Sequence, residues 1–309
     1  MERRVNITTF RDLFTEFLNE KKSAGLTEPT LFNYEKSLCV LLSELGLDDL
    51  VEIKEFNKDL ILKWIGVRQE TGSKPSTINH YLRDIRVFMY WLMENEYIKS
   101  FRIKLLKESE PSIKRYSDED LRKLVQTPSP DEPFWVWKSW LIAELGLGTG
   151  ARLGSIMSIS LNDLDFQNSR IHFPHSKTRD TLILPLAETL RASIKKYLSV
   201  WALLPDYRLI CTETGDPYTC NRPVQKSFDQ YCRLRGVEPR GIHALRHSFA
   251  YQLYKNGTDI VTIQYYLHHS DINMTRRYIS KLSVEDVKVI ESPLDLISCK
   301  KRIKRRELH

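Results

Sequence analysis

The sequence predicts a mainly α-helical protein with a small antiparallel β-sheet in its second domain, preceded by a separate helical domain. Three observations carry this. Apolar residues recur at helical spacing through most of the 309 positions. Between about 164 and 185 the pattern changes to short β-type runs divided by polar turns. Residues 101–116 lose this periodicity and become basic, which separates two helical regions. A chain of this length can bury two cores of ordinary size.

Taken in order, Thr8-Thr9 cap a first helix with Phe10, Leu13, Phe14, Phe17 and Leu18 at helical spacing. Thr30 leads into a second through Leu31, Tyr34, Leu38, Leu41, Leu42 and Leu45. A third run covers about 57 to 70, and Pro75-Ser76-Thr77 opens a long amphipathic helix that ends near Tyr97. Residues 1–100 therefore read as a four-helix domain, with no repeat of the 20–50-residue kind that would signal a solenoid. The segment 101–116, with Pro111 and Ser112 inside it, reads as an interdomain linker. Ser117, followed by Asp118, Glu119 and Asp120, starts the second domain with a helix whose acidic first turn suits the helix dipole. An apolar helix over about 134–147 is expected to break at Gly146, Gly148 and Gly150, and Ala151-Arg152 to start the next. Three strands follow, Leu164-Asp165-Phe166, Arg170-Ile171-His172-Phe173 and Thr181 to Pro185, with a polar turn around Lys177 between the last two. Helices return through about 297, and 299–309 form a basic tail.

With 41% hydrophobic and 28% charged residues, the composition is that of a soluble globular protein. No apolar run approaches the roughly 18–20 residues of a spanning helix, and Met1 to Asn6 hold no apolar signal core. A cytoplasmic protein without membrane association is expected. Cys39, Cys211, Cys220, Cys232 and Cys299 are widely spaced and form no CxxC pair, so neither a disulfide framework nor a zinc site is expected. No metal and no cofactor is predicted. The net charge of +7 is concentrated: residues 300–309 hold six basic side chains against Glu307, whereas 1–100 hold 14 basic and 16 acidic. Such runs are more often solvated than bound to phosphates, so the charge permits nucleic-acid binding without establishing it.

A sharper signal lies in 36 residues near the end of the second domain. His243-Ala244-Leu245-Arg246-His247 is followed by His269 and, nine positions later, by Tyr278. Moving a phosphodiester bond without a metal requires a nucleophile, charge against the non-bridging oxygens and a proton for the leaving oxygen. Tyr278 is the candidate nucleophile, although at neutral pH only about 0.1% of a free tyrosine is phenolate, so neighbours must activate it. Arg152 and Arg246 suit the oxygens, because a guanidinium stays charged and can give two parallel hydrogen bonds to phosphate. Lys177, on its hairpin turn, can enter a groove and protonate a departing 5′ oxygen. His243 lies three residues before Arg246 on one helical face and can take the phenolic proton or lend charge to the phosphate; His269 can do the second. His247 is read as a packing or bracing residue. Taken singly, each has an ordinary reading as a packing tyrosine, an ion-pair arginine, a solvated lysine or a structural histidine.

Together, Thr149-Gly150-Ala151-Arg152, Lys177, His243 to His247, His269 and Tyr278 resemble, in order and approximate spacing, the tyrosine recombinase (phage integrase) family. The likeness covers about 117–285 and extends more loosely to the first domain, which is similar to the family's core-binding domain. It implies a core DNA-binding domain (1–100), a basic linker (101–116), a catalytic domain (117–298) and a basic tail (299–309). It further implies a site-specific recombinase in which Tyr278 forms a 3′-phosphotyrosyl link, Arg152 and Arg246 clamp the phosphate, Lys177 protonates the leaving oxygen, and His243 and His269 assist. Neither ATP nor a metal is then needed, since the bond energy stays in the covalent link. The implied partners are double-stranded DNA with specific core sites and three further copies of the chain. A monomer or weak dimer in solution would become a homo-tetramer exchanging strands through a Holliday junction, with residues 284–298 docked on the next protomer or packed in cis. No arm-binding domain is recognisable before Thr8, so the expected dependence is on core sites alone or on an accessory DNA-bending or directionality factor.

Two positions depart from the family pattern. Ser155 stands where an acidic residue usually follows the first arginine, and His268 replaces the glycine of the turn before His269. Both point away from the cellular Xer-type recombinases and toward a recombinase that integrates or excises a mobile element. The rival readings are an Xer-like chromosome or plasmid resolvase, a type IB topoisomerase-like enzyme, and a catalytically silent DNA-binding regulator. Asn79, Arg83 and Arg86 are candidates for reading bases.

Overall fold

The computed structural model describes residues 9–108, 113–174, 182–203 and 207–279. The chain divides into two compact units, residues 1–111 and 112–309. Among the described residues no helix is long and apolar enough to cross a membrane.

The first unit holds helices α1 (Phe10–Ser23), α2 (Glu28–Leu45), α3 (Lys58–Glu70) and α4 (Pro75–Glu94). Thr9 starts α1 through a reciprocal pair of bonds with Asp12, which satisfies backbone N–H groups that the first turn leaves open. α2 begins ahead of Thr30, at Glu28 directly after Thr27, and Pro29 falls in its first turn, where a missing N–H carries no penalty. The core gathers on Phe88, whose ring has Phe10, Phe14, Phe17, Phe56 and Trp91 within 6.2 Å, centroid to centroid.

The stretch read as the first half of a linker is part of this core. Ile103 is buried in it. Asn79, only 1% exposed, donates to the Leu106 carbonyl at 2.9 Å and to Glu108 Oε1 at 2.6 Å, and accepts from the Leu106 N–H at 2.8 Å. The segment has no helical period because it is irregular chain held by a side chain. Asn79 is therefore occupied rather than available to bases. Arg83 is paired with Glu108 at 3.1 Å, and Arg86 lies over the Tyr90 ring.

The second unit contains α5 (Asp118–Leu124), α6 (Phe134–Thr149), α7 (Leu153–Ser158), strands β1 (Leu164–Asp165), β2 (Arg170–Phe173) and β3 (Leu182–Pro185), then α8 (Glu188–Val200), α9 (Arg222–Leu234), α10 (His243–Lys255), α11 (Ile260–Leu267) and α12 (Ile272–Ile279). The fold is thus mainly helical with one antiparallel sheet in the order β1-β2-β3, Ile171 lying opposite both Leu164 and Leu184. The Lys177 turn, residues 284–298 and the basic tail lie outside the described residues.

α6 is largely buried, and α8, α9 and α10 pack on it. Contrary to expectation, it runs through Gly146 and Gly148. A Cβ at Gly146 would come within 2.9 Å of Leu245 on α10, and one at Gly148 within 3.1 Å of Leu190 on α8, so both glycines permit close helix approach. Gly150 ends the helix in the left-handed region (φ 64°), and a Cβ there would overlap the Phe249 ring. Gly150→Ala combines unfavourable backbone with overpacking, and we expect it to destabilise the fold by about 2–4 kcal/mol. Thermal melting checks this against Gly154→Ala, whose added Cβ meets nothing within 4 Å and which should be neutral or slightly stabilising.

Candidate active site

Three packed helices and one helix junction supply the residues singled out by sequence. The first turn of α10 presents His243, Arg246 and His247; the turn between α11 and α12 carries His269; α12 carries Tyr278; and Arg152 is the residue from which α7 starts. α10, α11 and α12 are in mutual contact. Lys177 lies outside the described residues.

Arg246 is 2% exposed and held by the main chain. Its Nη1 donates to the Gly150 carbonyl and its Nη2 to the Leu267 carbonyl, both at 2.6 Å, and Nη2 also lies 2.8 Å from His269 Nε2. Its Nε has no hydrogen-bond partner. His268 takes the left-handed conformation (φ 48°, ψ 52°) that glycine usually supplies after a helix. Bonds from His268 N to Tyr265 O and from His269 N to Gln264 O close that turn, and the Gln264 amide donates to the His269 carbonyl. His268 thus closes α11 in a backbone conformation that glycine adopts more readily.

The Tyr278 hydroxyl is 3.3 Å from His243 Nε2. The ring of His247 stands edge-on to the Tyr278 ring at 4.1 Å, and that of His269 at 5.0 Å. His247 thus packs against the tyrosine and, at 4.6 Å, against His243. Arg152 lines an open cleft of about 660 Å³ with Ser155, Ser158, Asn221, Gln225 and His243.

Burial and neighbouring cations set the charge state. Burial, then Arg152, pushes Arg246 down to about 10, which still leaves it charged at neutral pH. Burial, then Arg246 and Arg152, pushes His269 down to about 3. His247 falls to about 4 through burial, His243 and Arg246. His243 is lowered by burial, Arg246 and Arg152. His247 and His269 are thus neutral at pH 7, and the shift of His243 favours its neutral form. His243 is fit to accept a proton, and the positive charge comes from the arginines rather than from His269. Sequence reasoning missed Thr275, whose Oγ1 is 2.9 Å from His269 Nδ1, and the Gly150 carbonyl that anchors Arg246. Among the described residues, no group of His, Cys, Asp or Glu is arranged to hold a metal ion.

These depressed values predict a stability profile. As pH falls through about 6.5 the unfolded chain takes up protons that folded His247 and His269 refuse, so stability falls with pH until about 4 to 3. Melting temperature should drop more steeply between pH 7 and 5 in the parent chain than in His247→Phe. Equal slopes would place the acid sensitivity elsewhere.

Comparison with known proteins gives a consistent picture. A model of the phage integrase family matches residues 114–284. The tyrosine recombinase XerC of Thermodesulfovibrio yellowstonii is 27% identical over 290 residues, covering 88% of this chain and 92% of that protein. The tyrosine recombinase XerD of Listeria monocytogenes is 25% identical over 290 residues, covering 89% and 97%. Among solved structures, the Tn1549 transposon integrase in complex with circular intermediate DNA has a TM-score of 0.72 at 18% identity, covering 90% of this chain and 97% of that one. A lambda integrase tetramer bound to a Holliday junction has a TM-score of 0.73 at 18% identity, covering 92% and 81%. The structural likeness is one of fold.

Proposed function

The chain belongs to the phage integrase family, and from this premise we propose that it is a site-specific tyrosine recombinase that cuts and rejoins duplex DNA through a covalent intermediate. Tyr278 attacks the scissile phosphorus while neutral His243, 3.3 Å from its hydroxyl, takes the phenolic proton. The bond from phosphorus to the 5′ oxygen breaks, Lys177 gives that oxygen its proton, and a 3′-phosphotyrosyl link and a 5′ hydroxyl result. Arg152 and Arg246 hold the non-bridging oxygens, where charge accumulates in the five-coordinate state. Attack by a 5′ hydroxyl of another strand reverses each step and frees the tyrosine. One phosphate ester replaces another, so the residues named need neither ATP nor a metal. The observation that carries the reading is a tyrosine hydroxyl 3.3 Å from an imidazole nitrogen, in a site with a buried guanidinium that two carbonyls hold in place.

We take the assembly to be four copies on two core sites, with residues 284–298 docking between neighbours, in a cytoplasmic, DNA-bound protein. A lambda integrase of the same fold forms a tetramer on a Holliday junction, which supports that arrangement. Integration or excision of a mobile element is the leading role, on the departures at Ser155 and His268. The Xer-like reading is favoured by relatives that the chain matches over 92% and 97% of their length.

The test is covalent trapping. Nicked duplexes with a randomised core are incubated with the protein in chelator and run on a denaturing gel. A protein–DNA adduct is expected, and its captured sequences define the site. Paired copies of that site should then recombine, whereas relaxation of supercoiled DNA lacking the site would favour a topoisomerase.

A further inference from the structure

Thr275 lies on α12 three residues before Tyr278, and its side chain is fully buried (0% exposed). Its Oγ1 sits 2.9 Å from His269 Nδ1, and the opposite ring nitrogen, Nε2, sits 2.8 Å from Arg246 Nη2. A guanidinium has donors only, so Nε2 must be the acceptor. The neutral ring then carries its proton on Nδ1, and Thr275 Oγ1 must accept it. The direction of both bonds follows without further choice: Arg246 donates to His269, and His269 donates to Thr275. A protonated ring would set Nε2–H against the guanidinium, and the strongly lowered basicity of His269 agrees with its exclusion.

We propose that Thr275 is a positioning residue for strand cleavage: its hydroxyl holds His269 in the Nδ1–H tautomer and so joins the seating of α12, with Tyr278, to the aim of the Arg246 guanidinium. When α12 leaves its seat, Nδ1 loses its acceptor and the other tautomer becomes accessible. Its Nε2–H opposes Arg246, and the guanidinium loses one of its three fixed contacts. The phosphate-holding group is therefore fully set only when the nucleophile is in place. This rests on the reading of Tyr278 as nucleophile and Arg246 as phosphate ligand.

The experiment compares the full chain with Thr275→Val, which keeps the shape and removes the hydroxyl, and Thr275→Ser, which restores it. Ring-nitrogen NMR reads the His269 tautomer without DNA, and single-turnover adduct formation on nicked duplexes from the randomised pool reads cleavage. The parent chain should show the Nδ1–H form alone. Thr275→Val should show a tautomer mixture, retain duplex on a native gel and form adduct about 10- to 100-fold more slowly, the effect of a slight misplacement of reacting groups. Thr275→Ser should recover both signals. Cleavage by Thr275→Val at the parent rate overturns the proposal, as does a Ser variant as slow as Val with the tautomer unchanged in both, which would make 275 a packing position. A parent chain carrying the His269 proton on Nε2 overturns it whether or not any variant folds. Should the parent form no adduct while the Nδ1–H form depends on Thr275, the recombinase reading fails and the hydrogen-bonded coupling stands.

Discussion

Tyr278→Phe is expected to bind duplex DNA as the parent chain does and to form no covalent adduct with it. Phenylalanine keeps the ring, and with it the edge contacts to His247 at 4.1 Å and to His269 at 5.0 Å, so α12 has reason to stay seated. What it removes is the hydroxyl 3.3 Å from His243 Nε2. If that oxygen is the nucleophile, no neighbouring group substitutes for it, and the rate should fall by roughly 10⁴-fold or more, below detection on a denaturing gel. Unchanged retention on a native gel is part of the prediction, because a loss of both signals would report a folding or docking defect. An adduct that survives the substitution would remove Tyr278 from the mechanism.

Arg246→Lys should be nearly as damaging although it preserves the charge. The guanidinium reaches the Gly150 carbonyl, the Leu267 carbonyl and His269 Nε2 at once because its donors fan out in one plane. An ammonium on a flexible stem cannot span these three acceptors and still face a phosphate. We expect adduct formation to slow by about 10³-fold, in line with the loss of a fixed donor to a developing oxyanion. The melting temperature should also fall, since carbonyls lose their donor and a buried charge loses its ligands. Single-turnover cleavage within about threefold of the parent would show that charge alone suffices and would defeat the geometric argument.

Much of the fold was legible because it depends on neighbours a few residues away. Thr9 with Asp12 and Ser117 with Asp120 mark helix starts by short-range hydrogen bonding, and the three strands follow from alternation and turn residues. The errors have a common origin. Gly146 and Gly148 read as breakers, yet whether a glycine ends a helix or lets another approach is decided by Leu245 and Leu190, both distant in sequence. Asn79 read as a candidate for contacting bases, and its partner Leu106 is 27 residues on.

The same division runs through the site. Residue types and their order were determined by the sequence alone, since an arginine, a tyrosine and paired histidines at set spacing carry their functional groups wherever the chain goes. Their protonation, tautomer and aim were decided only by tertiary structure. Arg246 is fixed by a carbonyl 96 positions away, and the histidines are held neutral by burial and by cations from other segments. Desolvation and hydrogen-bond direction arise only where such segments meet, and no local pattern encodes them.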